Sequence, residues 1–312
     1  MTPAQARAFL AVAMEGSFTA GAKRLNVSQP TVTSQVLSIE RQYKIELFHR
    51  AGRGACLTSA GSALLPIVRR MFASFDEATA YLHDVRGLRQ GHLRVGSYTP
   101  HGFMTLVARH KKRFPATSIS VEFANSRLLA SRILNYELDV AVIAREDAGV
   151  SFHALPVASV VLVVISPKRS AWARRASISV KDLRQQVVVV REPGSSSRRA
   201  FDQLIGTPGL PANQVVQIGS REGVIGAVAE GTGLGIMFND EMLPQSGVAQ
   251  ISIDGPVTST NDDLVCLAER RSNPLISGFL EVAREYLQEL RSGVRMRSAR
   301  PEIRPPRNGD ER

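Results

Sequence analysis

Residues 17–40 read SFTAGAKRLNVSQPTVTSQVLSIE, and two short helices follow one another in this stretch. Ser17 can accept a hydrogen bond from a free backbone amide as an N-cap, and Phe18, Ala22 and Leu25 then recur at helical spacing. Asn26-Val27 makes the turn. Ser28 can cap the next helix, with Pro30 in its first turn, where the missing amide hydrogen costs little. Val32, Val36 and Ile39 then face inward, which leaves Gln29, Thr31, Thr33, Ser34, Gln35 and Ser38 away from the core with no acid among them. Amides and short hydroxyls can read base edges in a major groove or hold phosphates, where a carboxylate would be repelled. The plainer reading is a polar, solvated helix in a small bundle.

The flanks narrow the choice. Upstream, Ala6, Phe9, Leu10 and Ala13 share one face of a helix over Pro3–Ala13, and Gly16 ends it. Downstream, residues 47–50 and 51–58 read as two short strands joined by a glycine-containing turn that carries Arg53, a wing beside the third helix. A basic wing can enter a minor groove or hold the backbone. The candidate DNA contacts are therefore Ser28, Gln29, Pro30, Thr31, Thr33, Ser34 and Gln35 of the helix with Arg50 and Arg53 of the wing. Either arginine read alone is equally well a solvated surface charge.

The whole stretch 9–61, FLAVAMEGSFTAGAKRLNVSQPTVTSQVLSIERQYKIELFHRAGRGACLTSAG, resembles the signature segment of LysR-type transcriptional regulators, including GSFT, LNVSQPTVTSQ, LFHR and LTSAG. The resemblance implies a winged helix-turn-helix that binds double-stranded DNA at an interrupted inverted repeat, as a homodimer or homotetramer and without catalysis. RNA polymerase is a further candidate partner.

From Ser59 to about Arg89 a helical pattern places Leu64, Val68, Met71, Phe75, Ala78, Leu82 and Val85 in steps of four and three. That heptad seam predicts homodimerisation through 59–89, against the alternative of one amphipathic helix packed on its own domain. After Gln90-Gly91, short apolar strands alternate with helices, the pattern of a parallel doubly wound sheet in two α/β subdomains. The expected architecture is α/β: a winged helix-turn-helix at 1–58, a dimerisation helix at 59–89, and a two-subdomain effector domain at 92–290 like those of periplasmic binding proteins. The first subdomain takes about 92–163 and 268–290 and the second about 164–267, with a strand near 263–268 marking the return. Residues 291–312 read as a disordered basic tail.

Ligands in open α/β sheets sit beyond the carboxyl ends of the strands, at helix N-termini. Four turns have that form: GSYTPHG at 96–102, FANSR at 123–127, REPGSSSRR at 191–199 and IGSREG at 218–223. They nominate Tyr98, Thr99, Asn125, Ser126, Ser195, Ser196, Ser197, Ser220 and Arg221 for a small anionic effector: a carboxylate, sulfate, phosphate or phosphonate. Any one of these residues is more often a simple helix cap. The strings REPGSSSRRAF, IGSREGV and VCLAERR resemble the LysR subgroup associated with 2-aminoethylphosphonate catabolism. That resemblance implies Thr99, Ser126 and Ser195 to Ser197 around the phosphonate, with an acidic or aromatic group near the amine.

Composition sets outer limits. A net charge of +11 over 312 residues favours a polyanionic partner. No apolar run reaches the roughly 18 to 20 residues that span a bilayer, and the polar start lacks a signal core, so a cytoplasmic protein with no membrane partner is expected. Cys56 and Cys266 read as unpaired thiols, and the six histidines show no metal spacing. The glycines of GTGLGIM at 231–237 follow a helix and open a strand, the reverse of dinucleotide-binding order. No catalytic residue, cofactor or metal is expected. A free-standing solute-binding protein would not need residues 1–89, and a DNA-architectural protein would not need the sensor.

Overall fold

The fold begins with three helices whose ends are set by local side chains: α1 (Pro3–Glu15), α2 (Phe18–Leu25) and α3 (Gln29–Tyr43). Thr2 and Gln5 form a reciprocal capping box on α1, and Gly16 closes it at φ 61°, where a side chain would be strained. Ser17 and Ser28 cap α2 and α3, accepting from the amides of Ala20 at 3.4 Å and Thr31 at 3.3 Å. Helices α1 and α2 cross closely at Gly21, where an added Cβ would lie 3.0 Å from the backbone nitrogen of Val12. Ala6, Phe9, Val12, Ala22, Val32, Val36 and Ile39 fill the space between the three.

The wing follows as β1 (Phe48–Ala51) and β2 (Gly54–Leu57), antiparallel with Ala51 opposite Gly54. Glu40 of α3 accepts from the amides of Leu47 and Phe48, and the Phe48 ring sits 5.5 Å from both Phe9 and Phe18, which seats the wing on the helices. Thr58 donates to the carbonyl of Glu46 and accepts from the amide of Gly61, so it turns the chain into α4 (Ser59–Val85).

The computed structural model describes residues 1–51, 54–85, 90–100, 102–207, 209–242, 247–255 and 257–298. Helix α4 serves two cores. Val68 is buried with the N-terminal helices and Ala80 with the first α/β core. Val68 therefore departs from the expected seam, whereas Met71, Phe75, Ala78 and Leu82 are exposed; the side chain of Val85 and residues 86–89 lie outside the described residues.

The first α/β unit contains β3 (Gly91–Ser97), α5 (Phe103–Arg113), β4 (Thr117–Phe123), α6 (Ser126–Leu134) and β5 (Val140–Ala144). Its three strands are parallel, with β3 between β4 and β5. The long strand β6 (Phe152–Pro167) leads into the second unit, which holds β7 (Ser177–Ile178), α7 (Val180–Leu183), β8 (Val188–Arg191), α8 (Ser196–Ile205), β9 (Val215–Ile218), α9 (Arg221–Ala229), β10 (Leu234–Phe238) and β11 (Val248–Ile253). The return is β12 (Ser259–Leu267), and α10 (Pro274–Ser298) closes the first core.

The all-parallel expectation needs correction. Strands β6 and β12 are antiparallel crossovers: β12 pairs with both β5 and β6, while β6 also pairs antiparallel with β10 and β11. The change of core falls inside these strands, because Leu264 to Leu267 pack in the first core and Val160 and Leu162 in the second. Both limits therefore precede residues 163 and 267. The first half of β6 is masked in the sequence by Pro156, which the ladder tolerates because the register shifts between the facing residues Asp262 and Asp263. Helix α10 runs to Ser298, past the expected start of the tail at 291, and residues 299–312 lie outside the described residues.

Candidate DNA interface and effector cleft

Residues 16–39 carry no aspartate or glutamate, and the N-terminal half of α3 stands out of its bundle. Ser28, Gln29, Pro30, Thr31 and Ser34 are exposed and Gln35 is half-buried. The short hydroxyls are partly committed to the helix. The Ser28 hydroxyl lies 2.8 Å from that of Thr31, and Ser34 donates to the carbonyl of Thr31 at 2.9 Å. Thr33 departs from expectation: its Oγ1 is buried and has no hydrogen-bond partner among the described residues, because residue 33 follows the inward Val32 by only one helical step. Ser38 is occupied by α1, accepting from Gln5 Nε2 at 3.0 Å. The side chain of Arg50 and all of Arg53 lie outside the described residues.

The serine-rich turns of the second half collect where the two α/β units face each other. Thr99, Ser126, Ser195, Ser196 and Ser197 are all buried there, as are Tyr98 and Arg221. Ser97 accepts from the amide of Thr99 at 3.1 Å and donates to its carbonyl at 2.6 Å, which shapes the turn after β3. Ser126 accepts from the amide of Ala144 and donates to Asp147, while the Ser195 and Ser197 hydroxyls lie 2.9 Å apart. Two nominated residues act as caps. Ser220 is exposed and accepts from the amide of Gly223, and Asn125 accepts from that of Leu128. Asn125 also donates across the gap to Glu192 at 3.2 Å.

Further contacts span the same gap. Arg199 of α8 reaches Asp147 at 2.6 Å and Glu146 at 3.5 Å in the loop after β5. Arg221, at the start of α9, donates to the carbonyl of Tyr98 and lies 3.6 Å from Glu241. The sequence reading nominated none of Glu146, Asp147, Glu192 or Glu241. The run AREDAG at 144–149, closing a fully buried strand, was the available signal for the first two, since ligand sites lie at such strand ends. The guanidinium groups of Arg199 and Arg221 are thus held by carboxylates.

Acids are concentrated around Tyr98. Its hydroxyl donates to Asp262 at 2.5 Å. Burial, reinforced by Asp240, Glu241 and Glu146, pushes the Asp262 carboxyl up to about 7. Burial also raises the Glu241 carboxyl, against the pull of Arg221. Cys56 and Cys266 are free thiols, and burial pushes Cys266 up to about 11, away from thiolate reactivity. Among the described residues no histidine, cysteine or carboxylate group has the arrangement to hold a metal, and no helix is long and apolar enough to cross a membrane.

Comparison with known proteins agrees with this layout. Residues 3–62 match the family described as bacterial regulatory helix-turn-helix protein, lysR family, and residues 86–288 match the LysR substrate binding domain. The chain is similar to the HTH-type transcriptional activator CmpR of Synechocystis, 27% identical over 235 residues that cover 75% of this chain and 77% of that protein. It is also similar to a probable RuBisCO transcriptional regulator of Cyanophora paradoxa, 30% identical over 73% of this chain and 74% of that protein. A full-length OxyR variant from Pseudomonas aeruginosa has a similar fold, with TM-score 0.71 and 21% identity over 92% of this chain and 95% of that one. CbnR, described as a LysR family transcriptional regulator, gives TM-score 0.64 and 19% identity over 91% of this chain and 99% of that one. With matches to both family domains across most of its length, the chain belongs to the LysR family of DNA-binding transcriptional regulators, which are not enzymes.

Proposed function

We propose that this protein grips a two-fold DNA site as a homodimer paired through α4 and changes that grip when a small anion enters the cleft between its two α/β units. The observation that carries the reading is that two exposed surfaces belong to one packed unit. The acid-free polar end of α3 and the exposed apolar stripe of α4 both belong to elements packed around the core of Phe9, Phe48 and Val68. Pairing two such units would present two copies of α3, with Gln29, Pro30, Thr31 and Gln35 toward an inverted repeat and the wing arginines toward the flanking backbone. Assembly into tetramers, contact with RNA polymerase and a cytoplasmic setting belong to the same reading.

The buried Ser126, Ser195, Ser196, Ser197 and Thr99 support an effector in the cleft, and 2-aminoethylphosphonate is the specific candidate. Its phosphonate would displace Asp147 from Arg199 and take up the serine hydroxyls, and its amine would lie toward the freed carboxylates. The contacts from Arg199 to Asp147 and from Arg221 to Tyr98 would act as latches between the units, so exchanging them would change the units' relative orientation and the spacing of the paired winged helices. Fluorescence anisotropy on the gene's own upstream DNA, titrated separately with 2-aminoethylphosphonate, sulfate and a small carboxylate, tests this. A shift with the phosphonate alone supports the specific effector. A shift with another anion replaces it, and indifference to all three refutes an anionic effector.

A further inference from the structure

Between α4 and the first α/β unit lies a cavity of about 510 Å³ that none of the foregoing roles uses. Helix α4 forms its mouth, because Asp76, Thr79, Ala80 and His83 recur at helical spacing and share one face, and Ala80 packs beside Leu93 of β3. Arg94 of β3, Asp139 just before β5 and Arg270 shortly after β12 form its floor, beside the apolar Leu275 and Ile276 of α10. Strand β12 runs antiparallel to β5, so Arg270 and Asp139 meet at the amino end of β5, whereas the cleft lies at its carboxyl end. The two spaces are separate.

The floor carries a surplus positive charge. Asp139 Oδ1 accepts from Arg94 Nη2 and Arg270 Nη1, and Oδ2 from the amide and Nε of Arg94, so one carboxylate serves two guanidinium groups. Arg270 is 6% exposed; its guanidinium lies 6.0 Å from the Tyr136 ring, yet its Nε is buried without a hydrogen-bond partner among the described residues. A buried donor left in this way is costly and calls for an acceptor. The balancing charge stands across the cavity on Asp76, which feels Arg94 and Arg270 through their fields but makes no hydrogen bond or salt bridge with either.

A cation alone would suit Asp76 and be repelled by the floor, whereas an anion alone would suit the floor and be repelled by Asp76. One molecule carrying both charges meets both needs. We propose that this cavity binds a small zwitterion, an aliphatic amino acid, with its carboxylate toward Arg270 and Arg94, its ammonium toward Asp76 and its side chain against Leu275 and Ile276. The volume is ample, since about 150 Å³ holds a benzene ring. Helix α4 also packs in the N-terminal core through Val68, so a bound molecule would tie the helix that carries the DNA-binding unit to the first α/β unit. The site stands whether or not the cleft binds an anion.

The test is isothermal titration of the full chain with three probes that share one body: L-valine, isobutylamine, which lacks its carboxylate, and 3-methylbutanoate, which lacks its ammonium. Valine should bind about tenfold or more tightly than either of the others. Asp76→Asn, on the exposed side of α4, should bring valine down to the level of 3-methylbutanoate. Arg270→Lys, which keeps a cation for Asp139 but removes Nε, should bring it toward isobutylamine. Thr79→Trp, which fills the mouth and leaves the cleft untouched, should weaken valine binding, and this variant and Asp76→Asn decide the matter even where Arg270→Lys unfolds the chain. Valine binding no tighter than that of the singly charged probes, a preference that survives Asp76→Asn, binding indifferent to Thr79→Trp, or no binding of valine would each overturn the proposal.

Discussion

Removing Phe75 and Leu82 from α4 should convert the dimer to monomers without unfolding either half of the chain. The two side chains are 60% and 67% exposed in the isolated chain, so each retains more than half of its apolar surface for a partner. Full burial of such a side chain contributes about 1.5 to 3 kcal/mol, so covering the exposed share contributes about 1 to 2 kcal/mol. Two-fold pairing uses each residue twice, and the Phe75→Ala/Leu82→Ala double variant therefore removes roughly 5 kcal/mol. At about 1.4 kcal/mol per decade, the dimer dissociation constant should rise about 10³- to 10⁴-fold. Sedimentation velocity over nanomolar to micromolar concentrations reads this directly, and circular dichroism should show unchanged secondary structure, because neither residue belongs to a buried core. A change below tenfold would refute the assignment of this stripe to the dimer contact.

Three other outcomes follow from particular side chains. Thr33→Val should leave specific DNA binding within about twofold and stabilise the fold by up to ~1 kcal/mol, because it removes a buried hydroxyl without a partner, whereas Gln35→Ala should weaken specific binding about tenfold or more; anisotropy and a thermal melt on the two variants separate the roles. Asp139→Asn should cost roughly 3 to 5 kcal/mol in thermal or urea unfolding, since Asp139 binds both Arg94 and the buried Arg270 and its loss leaves a guanidinium unpaired. Asp262 ionises near pH 7 when folded and near 3.8 otherwise, so the folded state holds the extra proton between those values and stability falls as pH rises through that window. Between pH 5 and 7 the wild type should lose about 2 kcal/mol relative to Asp262→Asn in urea unfolding, and parallel profiles would contradict the buried state of that carboxyl.

What was legible in the sequence was what local chemistry encodes. Thr2, Ser17 and Ser28 cap helices within three residues of themselves, and the inward spacing of Val32, Val36 and Ile39 needs no distant partner. The wing announced itself through two short strand-like runs and the glycine-containing turn between them. The crossover strands did not, because Pro156 interrupts β6 and is tolerated only through a register shift supplied by β12, about a hundred residues away in sequence. The heptad pattern located α4 but could not show that Val68 belongs to the N-terminal core. The serine-rich helix starts nominated from sequence converge where the two α/β units meet, yet Asn125 and Ser220 act as caps. The carboxylates that hold Arg199 and Arg221 come from β5's far end and from the turn after β10, a convergence that only the tertiary fold produces.

The central claim, that two copies of α3 read a two-fold DNA site, is tested most directly by a hydroxyl-radical footprint on the gene's upstream DNA at about 100 mM salt, with the wild type beside the Phe75→Ala/Leu82→Ala variant. The wild type should protect two half-sites on one face of the duplex, separated by a whole number of helical turns of about 10.5 base pairs, and the monomeric variant should lose the paired pattern at the same concentration. Uniform protection without preferred positions, or a paired footprint unchanged in the variant, would contradict the account.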